Sequence, residues 1–299
     1  MNVLLQGLPF FCDYAVLSLY HGKHEIRTLS AKSGTATQYR FDPARESFSE
    51  VLGKISREWQ PDLFICWHPE NDPPPLGIED SPIPTVAVAG DWNLFYSAQS
   101  INLARYDVVL CDKPGVPVLS SELVHPHYFL PLYSANFLIH KPYPVERDID
   151  VLYVGNLNIL HRRERAWLLD RLAMLSDRFR IAIVGGFFGE DYALALSRAK
   201  IVFNRSVRGE LNLRVFETMA CGALAFLEES NQEVRDWFRP DEEIVLFDEN
   251  NLEEKIAYYL HNPADWERIT SNATKRVREF AAENQMDKVI EFAGSQKSS

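Results

Sequence analysis

Short apolar runs separated by stretches of helical periodicity recur along the chain. In the first half the runs predict strands over Asn2–Leu8, Glu25–Leu29, Asp62–Trp67, Thr85–Ala89 and Asp107–Cys111, with helices over Ser47–Trp59 and Leu94–Tyr106. Runs this short and this apolar suit strands buried on both faces. Their alternation with helices predicts a mainly parallel sheet.

The pattern breaks over residues 131–150, PLYSANFLIHKPYPVERDID, which holds three prolines and no clean period. Such a stretch reads as a domain crossing. A second alternating series follows. It predicts strands at Val151–Val154, Arg180–Val184, Ile201–Asn204, Ala223–Leu227 and Ile244–Phe247, and helices at Arg163–Leu175, Tyr192–Ala199, Leu213–Cys221, Leu252–His261 and from Asp265 to about Ala282. The expected architecture is α/β: two Rossmann-like doubly wound domains facing a cleft, residues 1–145 and 146–285, with a polar tail at 286–299. The last helices are expected to return toward the first domain. In such sheets ligands sit beyond the carboxyl ends of the strands, which directs attention to the loops after Gly155, Gly185, Asn204 and Leu227.

The most informative segment is IVFNRSVRGELNLRVFETMACGALAFLEE, Ile201–Glu229. It reads as a buried strand, a charged loop, a helix stopped by Gly222, and another buried strand. Leu213, Phe216 and Ala220 share one helix face, and Arg214, Glu217, Thr218 and Cys221 share another. A helix start fronted by a polar loop offers free N–H groups and a positive dipole end to an anion. Arg208 and Arg214 add formal charge there, and Glu217 can accept hydrogen bonds from two neighbouring hydroxyls, as on a ribose. From the pattern alone a solvated Arg214–Glu217 pair on the helix surface is the simpler account.

Arg214-Val215-Phe216-Glu217 followed by Ala220-Cys221-Gly222 and an apolar strand resembles the donor-binding signature of retaining GT-B glycosyltransferases. Asn204 at the preceding strand end and Asn212-Leu213-Arg214 resemble the spore-maturation-protein CgeB-like group. Asp150–Gly155 with Arg162-Arg163, and Glu242–Phe247 with the helix from Leu252, extend the likeness over about residues 150–290. The resemblance implies transfer of a sugar from a nucleotide-diphosphate sugar to an unknown acceptor, with retention and without metal. It places Glu217 on the donor ribose and Arg208–Arg214 near its diphosphate, with Asn212, Asn204 and Gly155 in the same site. Glu210 is given a donor role by analogy with an earlier glutamate of the family, although six residues rather than seven separate it from Glu217.

Composition narrows the partners. Over 299 residues the net charge is −11, a field of the wrong sign for duplex nucleic acid as main partner. No stretch predicts a membrane span, and the first residues read as strand and helix rather than a signal peptide. Cys12, Cys66, Cys111 and Cys221 form no CxxC pair and read as buried thiols, which suits the cytoplasm. No metal or other cofactor is expected: Asp148-Ile149-Asp150 matches a metal-binding DxD pattern only superficially and reads as a solvated pair before a strand. In the first half Gly90-Asp91-Trp92-Asn93 and Cys66-Trp67-His68-Pro69-Glu70 follow strands where an acceptor loop would lie. Asp91 and His68 are the candidate catalytic residues, and Trp92 a candidate sugar-stacking ring. Gly7 resembles the glycine of GT-B first loops. Alternatives are a sugar-nucleotide epimerase of the same fold and a non-catalytic nucleotide-sugar or glycan-binding protein. An acid/base pair in the first domain would favour the epimerase.

Overall fold

A computed structural model describes residues 1–7, 23–32, 37–69, 72–93, 101–121, 124–128, 134–157 and 163–295. Cys12 and most of the helix expected at Leu94–Tyr106 lie outside these residues. The chain divides into two compact units, Met1–Leu132 with Ala282–Ser299, and Tyr133–Ala281.

The first unit carries β1 (Asn2–Gln6), β2 (Glu25–Ser30), β3 (Tyr39–Arg40), α1 (Phe48–Gly53), β4 (Leu63–Trp67), β5 (Thr85–Ala89), β6 (Val108–Cys111), α2 (Gly115–Leu119) and β7 (Pro126–Tyr128). The strands form one parallel sheet in the order β3-β2-β1-β4-β5-β6-β7. The order reverses between β1 and β4, the switch point of a doubly wound sheet. There Gly7 has φ 71°, and a Cβ on it would lie 2.3 Å from the Trp67 carbonyl oxygen, so only glycine lets the first loop cross the end of β4. α1 starts where the sequence says it should: Ser47 and Glu50 form a reciprocal capping box.

The second unit carries β8 (Ile149–Val154), α3 (Arg163–Ala173), β9 (Ile181–Val184), α4 (Gly189–Arg198), β10 (Ala199–Phe203), α5 (Leu213–Ala220), β11 (Leu224–Glu228), α6 (Val234–Trp237), β12 (Val245–Phe247), α7 (Leu252–His261) and α8 (Pro263–Val277). Its parallel sheet runs β12-β11-β10-β8-β9, with the switch point between β8 and β10. Val151, Tyr153, Ile201, Phe203 and Phe226 point to one core and Leu152, Val154 and Val202 to the other, which is why β8 and β10 read as unbroken apolar runs. α5 ends in a Schellman arrangement. Gly222, at φ 73°, donates to Met219 O and Ala223 donates to Thr218 O, while Arg147 donates to the carbonyls of Cys221 and Gly222 at 3.1 and 2.8 Å.

The segment expected as a polar tail from residue 286 is the body of a helix, α9 (Ala282–Ser295), and it belongs to the first unit. Met286, Val289, Ile290 and Ala293 are buried at helical spacing, an apolar stripe that the charged residues between them mask in a composition-based reading. Among the described residues no helix is long and apolar enough to cross a membrane.

Candidate functional site

The switch point of the second sheet is built from Gly155 and Asn204. Each extends its strand by one bond: Gly155 N–H donates to Val184 O at 3.1 Å, and Asn204 N–H to Phe226 O at 2.9 Å. The buried Asn204 side chain then organises the start of α5. Its Nδ2 donates to Asn212 Oδ1 at 2.8 Å, and its Oδ1 accepts from Asn212 Nδ2 at 3.3 Å and from Arg214 Nη1 at 2.8 Å. Asn212 is the N-cap residue of α5, yet its side chain makes no capping bond. With that amide spent on Asn204, the first turn of α5 has no side-chain cap, and Val215 N–H is met by the Asn212 carbonyl at 3.2 Å instead.

Arg214 lies back across β8. Its guanidinium carbon is 5.2 Å from the centroid of the Tyr153 ring, and a Cβ at Gly155 would fall 2.3 Å from Nη2. Gly155 is therefore a notch that admits the guanidinium. Arg165, on α3, approaches the same ring at 5.4 Å, bonds the Tyr153 hydroxyl and donates to Arg205 O at 2.9 Å. Two cations thus share one aromatic platform at the carboxyl end of β8.

Glu217 sits one turn further along α5. Tyr192 donates its hydroxyl to Oε2 at 2.9 Å, and His140 Nε2 stands 3.6 Å from Oε1. The side chain is 14% exposed. Burial pushes its carboxyl up to about 7, against the opposing pull of the Tyr192 hydrogen bond and the Arg214 charge. Burial also pushes His140 down to about 4, so this imidazole is neutral, and its Nδ1 has no hydrogen-bond partner. The surface ion pair that the pattern allowed does not form: Arg214 is bonded to Asn204, and Glu217 to Tyr192.

The loop between β10 and α5 is ordered by buried carboxylates. Glu228 accepts from Ser206 N–H at 3.2 and 3.1 Å and from its hydroxyl; Glu210 accepts from the N–H groups of Val207 and Arg208 at 3.3 and 2.7 Å; and Glu233 accepts from Leu211 N–H at 2.6 Å. Arg208 Nε is 3.9 Å from Glu210 Oε2. Glu210 is thus turned into its own loop, bonded to that loop's amides.

The first-half candidates lie at the carboxyl edge of the other sheet. His68 follows β4, is buried, and holds φ 57°, an unusual conformation for a residue with a side chain. Asp91 follows β5 and is half-buried. Trp92 differs from its expected role as a sugar platform: it is buried in the core, its Nε1 donates to Asp112 Oδ1 at 2.8 Å, and Gly115 packs against it. Asp148 is paired with Arg198, and Asp150, inside β8 rather than before it, with Lys200 at 2.7 Å. Cys66, Cys111 and Cys221 are buried, as expected.

The structure therefore brings Gly155, Asn204, Asn212, Arg214 and Glu217 together, with Arg208 and Glu210 in the adjoining loop. It adds Tyr153, Arg165, Tyr192 and His140, which sequence reasoning missed. Tyr153 and Tyr192 read as core positions, and His140 lay in a stretch without periodicity. Arg165 sits on a charged helix, where nothing in the sequence sets it apart from its neighbours.

Residues 162–291 match the family described as glycosyl transferase-like. No curated protein matches the chain in sequence. Among solved structures, sucrose-phosphate synthase from Thermosynechococcus elongatus superposes with a TM-score of 0.59 at 14% identity, covering 99% of this chain and 100% of that one. An alpha-glucosyltransferase in complex with UDP and a 13-mer DNA gives 0.61 at 14% identity over 96% and 98%. Anabaena HepE in complex with UDP and glucose gives 0.55 at 14% identity over 99% and 100%.

Proposed function

We propose that the chain, which has the GT-B fold and a glycosyl transferase-like second half, is a glycosyltransferase whose second unit binds a nucleotide-diphosphate sugar at the carboxyl ends of β8 and β10. The observation that carries this reading is the disposition of Arg214 and Glu217. Asn204 and the Gly155 notch fix the first over β8, and Tyr192 fixes the second one turn into a helix whose N-cap side chain is diverted. The first turn of α5, which lacks a side-chain cap, and the guanidinium groups of Arg214 and Arg208 take the diphosphate. Glu217, ionised, accepts from the two ribose hydroxyls. That UDP stands in the complexes of structural neighbours supports uridine as the first base to test.

In the transfer, the bond from the anomeric carbon to the β-phosphate oxygen breaks as an acceptor oxygen bonds that carbon, and the acceptor's proton passes to a base. Charge grows on the departing diphosphate, and fixed donors lower the barrier by meeting it there. The reading is metal-free, because Asp148 and Asp150 are committed to cationic side chains, and it takes retention from the family resemblance. On the acceptor side Asp91 is the more accessible of the two candidate bases, being half-buried where His68 is buried. The net charge of −11 supports an acceptor other than nucleic acid.

Calorimetric titration of UDP and other nucleoside diphosphates into wild type and Glu217→Ala tests the reading. Losing two charge-assisted hydrogen bonds, each worth about 1.5–3 kcal/mol, should weaken binding by about two orders of magnitude or more. Equal affinities would remove the reading's main support. Slow hydrolysis of the donor without acceptor separates an enzyme from a binding protein.

A further inference from the structure

We propose that Phe188 is the stacking platform for the nucleobase of the donor, an inference that rests on the nucleotide-binding reading above. β9 runs out into Gly185-Gly186-Phe187-Phe188-Gly189, a loop whose only side chains are two phenylalanines. Gly186 at φ 81° and Gly189 at φ 57° hold the left-handed turns on either side of them. Phe188 is 82% exposed and Phe187 41%. A phenylalanine left in water forgoes most of its burial free energy, and adjacent exposed rings mark a surface that something covers.

Two connections tie this lip to the site. Gly185 packs directly on Gly155, since a Cβ built on it would lie 2.9 Å from the Gly155 carbonyl oxygen, and Leu157, 44% exposed on the loop after β8, stands 3.6 Å from the same point. The lip is thus continuous with the notch that receives Arg214. On the other side Phe188 is the N-cap residue of α4, and Tyr192 N–H donates to its carbonyl at 3.4 Å. Tyr192 in turn holds Glu217 at 2.9 Å. Four residues of helix rise about 6 Å, so a base carried by a ribose on Glu217 comes within reach of the Phe188 ring. The loop offers that base a ring face and backbone groups, and no polar side chain.

The test uses the full chain, the tightest binder among uridine, guanosine, thymidine and cytidine diphosphates, and calorimetry. Base-on-aromatic contacts removed by alanine weaken binding roughly five- to a hundredfold. Phe188→Ala should show a loss in that range with an unchanged melting temperature, and Phe188→Trp should restore or tighten binding. Phe188→Ala binding within twofold of wild type, while Glu217→Ala is impaired, would overturn the stacking assignment and leave the donor site standing. A loss seen only for Phe187→Ala would also overturn it. Failure of wild type to bind any of the four nucleotides would overturn both readings.

Discussion

Replacing Glu217 by glutamine should make the protein more stable at pH 8 and a poorer binder of its nucleotide. Burial raises this carboxyl from 4.5 to about 7. The folded state then holds the proton more tightly than the unfolded chain does. Between those two pH values the native protein carries more bound protons, so stability falls as pH rises through the interval, and the loss is complete above about 7. At about 1.4 kcal/mol per pH unit the ionised carboxylate costs on the order of 3 kcal/mol. Glutamine keeps an acceptor for the Tyr192 hydroxyl and removes the buried charge. For a unit of this size each kcal/mol moves the melting midpoint by roughly 2–4 °C, so Glu217→Gln should melt roughly 6–12 °C higher at pH 8 and nearly level with wild type at pH 4.5. Calorimetric melts at both pH values measure the offset, and titration with the nucleotide measures what is lost. A variant that melts lower than wild type at pH 8, or by the same offset at both pH values, would refute the reasoning. An ordinary surface glutamate shows neither effect, whereas a side chain kept at a cost to the fold fits a binding role.

Donor affinity should follow the same titration. Of the groups facing Glu217, His140 is neutral above about 4, Cys221 is pushed up to about 12 and Tyr192 well above its usual value, so among these the carboxyl is the one that ionises between pH 6 and 8. Affinity for a nucleotide sugar, whose diphosphate does not itself titrate there, should fall about tenfold from pH 8 to pH 6; a flat profile would contradict an ionised Glu217 in the complex. Gly155→Ala should push the Arg214 guanidinium off Asn204, weakening nucleotide binding roughly tenfold while moving stability by less than about 1 kcal/mol, because the clash at 2.3 Å is with the end of a flexible side chain. Wild-type affinity in that variant would deny Arg214 its role. Glu228→Ala should lower stability by about 1–3 kcal/mol in urea melts, since it strips Ser206 N–H and its hydroxyl of a buried acceptor, and Glu228→Gln should cost less; an unchanged midpoint would show that other groups order the loop.

The two sheets were legible because their strands are buried on both faces and spell apolar runs; Thr85–Ala89 is observed at the expected bounds. The edge strands Tyr39–Arg40 and Pro126–Tyr128 were not, being two and three residues long and, in the second case, built on Pro126 and His127. A strand that short satisfies a sheet edge without requiring any apolar pattern. In the site, Asn204, Asn212, Arg214 and Glu217 were readable because one strand-loop-helix segment carries them all. Tyr192 and His140 reach Glu217 from elements distant in the chain, a neighbourhood that only the fold creates. The surroundings of Glu210 were hidden for a related reason: the sequence shows a carboxylate near the proposed donor, and only the structure shows it accepting from the Val207 and Arg208 amides.

That inward turn bears on the proposed diphosphate site, which adjoins three buried glutamates. Carboxylates at positions 210, 228 and 233 would repel a diphosphate if their charge reached it. Each is instead met by amide hydrogens of its own surroundings: Ser206, Val207, Arg208 and Leu211 all point their N–H groups inward, and Gly209 N–H is taken by the Ser206 hydroxyl at 3.1 Å. Donors so engaged damp the buried negative charge, but they are also withdrawn from any ligand. The loop therefore cannot cradle phosphate with successive backbone amides as a nest does. In the proposed donor site the work would then fall to the side chains of Arg208 and Arg214 and to the first turn of α5. There the Asn204–Asn212 pair diverts the one side chain that would otherwise cap the helix.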